Sequence, residues 1–246
     1  MRIAIFSDVH GNLEALEEVL KAFDELSIDK YVCLGDVVGY GAQPNECCEL
    51  VRERVSHAVL GNHDAAVVGR MDYSYYYAAA RQALDWCQAR LSPENRDWLG
   101  GLPLEMNDSD IPGLHYSHGS PLEPDTFGYV FALEQARELL PHLSSLAAVS
   151  FIGHSHLCKS FALDEENVLD LVGQRLLIEE PHKYIVTVGS VGQPRDYDNR
   201  ACAGIFDSDS NTFEYVRVEY DIESAARKIF EAELALNFGK RLFLGI

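Results

Sequence analysis

Arg2-Ile-Ala-Ile-Phe-Ser-Asp-Val-His-Gly-Asn12 starts as an apolar run, Ile3 to Phe6, that reads as a buried strand. It closes on two polar groups, Asp8 and His10, before Gly11, Asn12 and the start of a helix. Side chains two apart on a strand share a face, so Asp8 and His10 are expected to point together from its carboxyl end. That edge is where open α/β sheets place ligands. Taken alone, the pair also fits a simple helix-initiating turn. Its meaning depends on what the rest of the chain brings to the same edge.

The following helix carries Leu13, Leu16, Val19, Leu20, Phe23 and Leu26 at helical spacing, with Glu14, Glu17, Glu18 and Lys21 between them. Asn12 suits its N-cap, and Glu14 suits the positive end of its dipole. Tyr31 to Leu34 is a second strand, so the opening is β-α-β with parallel strands. It ends in Gly35-Asp36 and a loop to Pro44, after which Asn45 can cap a helix reaching Arg54. His57 to Leu60 reads as a third strand, ending in Gly61-Asn62-His63-Asp64. Gly113 to Ser117 ends in His118-Gly119, and Ala147 to Ile152 ends in Gly153-His154-Ser155-His156. Phe131 to Leu140 reads as a helix closed by Pro141, and from Phe161 the pattern turns to β until a last helix face at Ile222, Ala225, Ala226, Ile229 and Phe230.

The 246 residues suit one domain, 1–246, with a helical insertion at about 65–112. That segment gathers Tyr73, Tyr75, Tyr76, Tyr77, Trp86 and Trp98. Two readings stand for it: ordinary helix packing on a sheet, or a partial lid whose tyrosines stack on a substrate base. The formal net charge of −19 argues against duplex nucleic acid and anionic membranes as partners, yet leaves room for a small anionic substrate at a local metal centre. No run is long and apolar enough for a bilayer, and no basic segment precedes an apolar stretch at the N-terminus, so a cytoplasmic protein is expected. The six cysteines include no C-x-x-C pair and are expected as free thiols. The apolar tail Leu242 to Ile246 is expected to dock on the core or on a second subunit, which leaves an oligomer open.

Successive strand ends thus present Asp8, His10, Asp36, Asn62, His118, His154 and His156, with His63 left over. One divalent ion takes about four to six donors, so this set fits two ions sharing a carboxylate better than one. Mixed oxygen and nitrogen donors suit Mn, Fe, Ni, Co or Zn, with manganese favoured, and disfavour Ca or Mg alone. Each residue also has a plain use, as a helix cap or a satisfied loop histidine. The joint placement is what argues against that.

These segments resemble the signature blocks of the calcineurin-like metallophosphoesterase superfamily, in order from Asp8 to His156. Gly35 to Asn45 and Gly189-Ser-Val-Gly-Gln-Pro-Arg195 are similar to blocks of its small bacterial and archaeal members. The resemblance implies a four-layer α-β-β-α sandwich, an α/β fold of two mixed sheets flanked by helices. It implies Asp8, His10 and His156 on one metal ion, Asn62, His118 and His154 on a second, and Asp36 bridging them. A metal-bridging hydroxide would attack phosphorus, His63 would protonate the leaving group, and Asp64 would orient His63. The Gly-Asp-x-x-Asp-Arg-Gly of protein phosphatases is replaced by Gly35-Asp-Val-Val-Gly-Tyr-Gly41, which points away from protein substrates. A phosphodiester, nucleotide or dinucleoside polyphosphate is the expected substrate. Tyr40 is a candidate to hold a base, and Arg195 either clamps a phosphate or pairs with Asp196 or Asp198. The alternative is a catalytically weak member serving as a protein-binding scaffold.

Overall fold

In the computed structural model, which describes residues 1–246, alternation along the first strand, β1 (Arg2–Phe6), sets the layers. Ile3 and Ile5 are buried in a core shared by two sheets, with Phe151, Val186 and Phe213. Ala4 and Phe6 are buried on the opposite face, against Leu16, Val19 and Phe23 of helix α1 (Leu13–Asp24). One strand therefore supplies both of its faces to burial, as its continuous apolar run requires.

The first sheet runs β3 (His57–Ala58), β2 (Lys30–Cys33), β1, β11 (Ala201–Asp207), β12 (Thr212–Val218), β9 (Arg175–Leu177). The second runs β4 (Glu105–Asn107), β5 (Leu114–Ser117), β6 (Val149–Ile152), β10 (Lys183–Val188), β7 (Cys158–Leu163), β8 (Val168–Leu171). Both are mixed: β1, β2 and β3 are mutually parallel, as are β5, β6 and β10, and the remaining pairs are antiparallel. Helix α1 covers the outer face of the first sheet, together with α2 (Pro44–Arg54). Helix α6 (Leu133–Arg137) covers the second, through Ala136 against Phe161, Leu163 and Ile185. The architecture is the four-layer α-β-β-α sandwich.

In the chain between β3 and β4 lie α3 (Asn62–Val67), α4 (Ala78–Arg90) and α5 (Pro93–Gly100), whose apolar residues join those of α1 and α2 in the core outside the first sheet. Trp86 and Trp98 pack on the core there, whereas Tyr75 and Tyr77 are exposed. At the C-terminus α7 (Ile222–Glu231) packs on α8 (Leu236–Leu244) through Ala226, Ile229, Phe238 and Leu242. Leu242 thus docks on its own chain. All six cysteines are free thiols. No helix is long and apolar enough to cross a membrane.

Several local expectations change. Asn12 does cap α1, accepting from the Ala15 amide at 3.2 Å. Asn45 does not cap α2, whose N-cap is Gln43. Its side chain instead donates to the Arg90 carbonyl and accepts from the Ser92 amide, fastening α2 to the α4–α5 turn. The third strand is only His57–Ala58. The helix expected over 131–140 shrinks to α6, and Pro141 lies in the first turn of a 3-10 helix, Leu140–Ser145. Proline lacks the amide that a first turn leaves unused anyway, so it starts that turn rather than ending one.

Lys30 of β2 reaches across to Asp108, just beyond β4, at 3.0 Å, and both are buried. Tyr116 also donates to Asp108, at 2.8 Å, and Asp110 completes the pairing of Lys30. This ion pair ties one sheet to the other. Asp108→Ala is expected to lower unfolding free energy in urea by about 3 kcal/mol, the low end for stranding a buried charge because Asp110 remains. Lys30→Met with Asp108→Leu should recover most of the loss; equal loss in both variants would contradict the assignment.

Candidate metal centre

The strand-alternation argument for Asp8 and His10 is corrected by the backbone. β1 stops at Phe6, and Asp8 (φ 56°) and His10 (φ 49°) are both left-handed. So are Asp36 (φ 51°), His154 (φ 66°) and His156 (φ 60°). For residues other than glycine this conformation costs about 1 kcal/mol or more each. It is held by pairing that outlasts the strands. The Asp8 amide donates to the Gly35 carbonyl, that of His10 to Asp36, and that of Gly192 to Asp8. The loop after β6 joins them, the His154 amide donating to Asp8 Oδ2 and the Arg195 amide to the His156 carbonyl. The strained loops after β1, β2 and β6 are thus locked to one another and to the glycine-rich segment 189–195.

These loops, with Asn62 at the start of α3 and His118 just after β5, bring together all seven residues proposed from the strand ends. The Nε2 atoms of His10 and His156 lie 3.1 Å apart. Asp8 Oδ1 is 3.7 Å from the first and 3.4 Å from the second, and it has no hydrogen-bond partner. Both Nδ1 atoms face backbone carbonyls, Val38 at 3.1 Å and Gln193 at 2.6 Å. Nδ1 must therefore carry the proton, and each Nε2 presents a lone pair. Two lone pairs and an orphan carboxylate oxygen face one another in a buried site, an arrangement that repels itself unless a cation lies among them.

A second cluster adjoins the first. His118 Nδ1 donates to the Leu34 carbonyl at 2.7 Å, which aims Nε2 at Asn62 Oδ1, 3.0 Å away, and at Asp36 Oδ2, 3.3 Å away. Asp36 Oδ2 is also 3.6 Å from His10 Nε2, so one oxygen belongs to both clusters. Asp36 Oδ1 is turned the other way, accepting from the His63 amide at 2.8 Å. His154 completes this second group with Asp36 and His118, its ring stacked on Tyr129 at 3.9 Å. Asn62 donates through Nδ2 to the Tyr76 hydroxyl at 2.6 Å, which leaves its Oδ1 free to face the cluster.

Charge follows burial here. Burial pushes the Asp8 carboxyl up to about 7, and pushes the His10 and His156 imidazoles well below their usual range. It lowers His154 to about 3. Burial also opposes the charge of Asp36, but His118 and His63 outweigh it and hold that carboxyl well below the ordinary value. His118 in return rises to about 9, because Asp36 overcomes its burial. Neutral imidazoles, a shared carboxylate and an unpaired carboxylate oxygen are the chemistry of a site for divalent cations of the borderline class.

His63 is buried beside the clusters, its ring 4.5 Å from Tyr40 and 4.8 Å from His10. Its Nδ1 has no partner. Burial pushes it down to about 4, against the pull of Asp36. Asp64 does not orient it: the carboxylate of Asp64 accepts from the amides of Val37, Val38 and Gly61. What bears on His63 is Gly39 (φ +94°), where a Cβ would come within 2.3 Å of Nδ1. Asp64 therefore holds the loop around Asp36, and the imidazole is free of it.

A cavity of about 540 Å³ opens from Asp36, Asn62, His63, His154 and His156 outward. Tyr75, Tyr76, Tyr77 and Tyr129 form much of its wall. Tyr40 also lines it but is only 8% exposed, its ring packed on His10, His63 and Phe238, so it serves the histidines more than an open base site. Arg195 lines the cavity and pairs with neither neighbouring aspartate: Asp196 binds Arg217, and Asp198 binds Arg200. Sequence reasoning passed over Tyr129 and Arg241, and it marked the glycine-rich block around Gln193 without giving that residue a role. Tyr129 and Arg241 reach this region only through tertiary packing, and no local pattern marks those two.

A model of the family described as calcineurin-like phosphoesterase matches residues 1–158. The chain is 40% identical to an uncharacterized protein of Methanocaldococcus jannaschii, MJ0912, over 99% of this chain and 98% of the other. The crystal structure of a metallophosphoesterase from Sphaerobacter thermophilus superposes with a TM-score of 0.84 at 36% identity, covering 100% of this chain and 99% of that one. Hypothetical protein PH1004 of Pyrococcus horikoshii shares the fold, with a TM-score of 0.80 at 18% identity over 100% and 98% of the two chains.

Gly61 shows how tightly the centre is packed, since a Cβ there would lie 2.1 Å from both the amide nitrogen and Oδ1 of Asp36. Gly61→Ala is expected to weaken manganese binding by about tenfold or more in a calorimetric titration, as displaced supporting contacts do. Unchanged affinity would mean that Asp36 is not held by this contact.

Proposed function

Because the chain belongs to the calcineurin-like phosphoesterase family, we propose that it is a hydrolase that cleaves a phosphate ester with two divalent metal ions, manganese first among them. Asp8, His10 and His156 would hold one ion, Asn62, His118 and His154 the other, and Asp36 both. The observation that carries this reading is the 3.1 Å approach of two Nε2 lone pairs beside the orphan Asp8 Oδ1, with Asp36 Oδ2 shared between clusters. When bound, such ions lower the pKa of water and offset the charge on phosphoryl oxygens.

The chain's own residues would do the rest. Backbone carbonyls of Leu34, Val38 and Gln193 fix three imidazoles before any ligand arrives, so no reorganisation is needed at the moment of reaction. Arg195, free of carboxylate partners, would bind phosphoryl oxygens. His63 is neutral when alone in its buried setting. An approaching phosphate anion favours its protonated form, so it would carry a proton when substrate is present and deliver it to the leaving oxygen. The tyrosine wall would cover the organic part of a phosphodiester, nucleotide or dinucleoside polyphosphate.

The test is hydrolysis of bis(p-nitrophenyl) phosphate by the manganese-loaded protein. Chelation should abolish it and added manganese restore it. Asp36→Asn should leave no measurable turnover. His63→Ala should lower kcat by about 10²–10⁴-fold on an ester with an alkoxide leaving group, and far less on this nitrophenyl ester, whose leaving group needs no proton, with little change in metal content. Turnover that survives chelation or Asp36→Asn would refute the assignment. Metal uptake with no turnover of any ester would favour a scaffold.

A further inference from the structure

A second guanidinium, that of Arg241, stands beside Arg195. Gln193 Oε1 accepts from Arg195 at 2.8 Å and from Arg241 of α8 at 3.2 Å. Neither arginine has a carboxylate within salt-bridge distance, because the neighbouring Asp196 and Asp198 are taken by Arg217 and Arg200. Arg195 Nε is buried with no partner at all. Both side chains are half-buried. Two like charges sharing one neutral acceptor, partly out of water, is costly in any protein. It is conspicuous in a chain of net charge −19, where carboxylates are plentiful. Burial and Arg195 together lower the pKa of Arg241, which marks the mutual repulsion.

A second cavity, of about 340 Å³, lies between these arginines, Tyr77, Tyr129 and Phe238. It shares Tyr40, Tyr77, Tyr129 and Arg195 with the cavity over the metal clusters, so the two adjoin. Arg195 stands at their junction, and Arg241 lines only the outer one.

We infer that Arg241, with Arg195 and Gln193, forms a binding site for a second phosphoryl group of the substrate. This inference rests on the phosphoesterase reading and narrows it. The substrate carries adjacent phosphoryl groups, as nucleoside polyphosphates do, one over the metal clusters and the next between the guanidiniums. Exposed faces of Tyr77 and Tyr129 are at hand for its flat organic part. A simple diester with one phosphoryl group leaves Arg241 without a partner.

The test compares binding of ADP and AMP to the manganese-loaded protein by calorimetry, since the two differ by one phosphoryl group. Wild type should bind ADP about tenfold or more tightly than AMP, the scale of a charge-assisted contact. Arg241→Gln should bring the two affinities to within about twofold, and Arg241→Lys should restore part of the gap because it returns charge without the fork. Thermal unfolding of each variant checks that α8 stays docked; a variant that unfolds early is replaced by Gln193→Leu, which removes the shared acceptor and should also shrink the gap. Equal affinities in wild type, or a gap untouched by folded variants, would overturn the inference. Bis(p-nitrophenyl) phosphate turnover separates the two claims. Turnover with no ADP preference sinks the second-phosphoryl site alone. An Arg241-dependent ADP preference with no ester turnover sinks the phosphoesterase reading and leaves the anion site standing.

Discussion

Mutual repulsion among buried lone pairs is the constraint around which this molecule is built. Three imidazoles spend Nδ1–H on backbone carbonyls and turn Nε2 inward. Two of them face each other across 3.1 Å, beside a carboxylate oxygen that nothing satisfies. Inside a protein an unpaired polar atom is expensive. Several at one point would not persist unless their deficit were made good by something the chain does not contain. Positive charge of small radius does that, and the neutral state into which burial pushes His10, His154 and His156 is the state that can donate to it.

The sandwich supplies the rigidity this needs. Strand ends from both sheets meet at one edge, and the loops leaving them adopt left-handed conformations at five of the seven proposed ligands. Such strain survives only where neighbours over-determine it. Here the neighbours are the ladder continued between the β1 and β2 loops, the Asp64 carboxylate on three amides, and the Asn12 side chain, which donates to Gly192. Fold stability and site geometry are therefore one set of contacts. The softer, aromatic wall contributed by residues 75–77 and Tyr129 is where substrate selection can vary without disturbing them.

Much of this was legible in the chain itself. Polar groups at successive strand ends named every ligand candidate, because a strand buried on both faces must end where it delivers its polar residues. Period and capping placed α1 and most of the strands. The reasoning failed where local pattern and tertiary contact part company. Asp8 and His10 converge through backbone reversal, not through pleat alternation. Asn45 looks like a cap but ties two helices together. Asp64 looks like a partner for His63 and instead binds the loop around Asp36. Arg195 beside Asp196 invites a local ion pair, yet Arg217 takes that aspartate from a distant strand. Arg241 and Tyr129 carry no local signal, being brought in by a helix and a loop far away in sequence.

Anomalous scattering from a crystal of the manganese-loaded protein tests the central claim most directly. The account predicts two peaks, one among Asp8, His10 and His156, the other among Asn62, His118 and His154, each in contact with Asp36. A single peak, or a pair in which Asp36 touches only one, would contradict it.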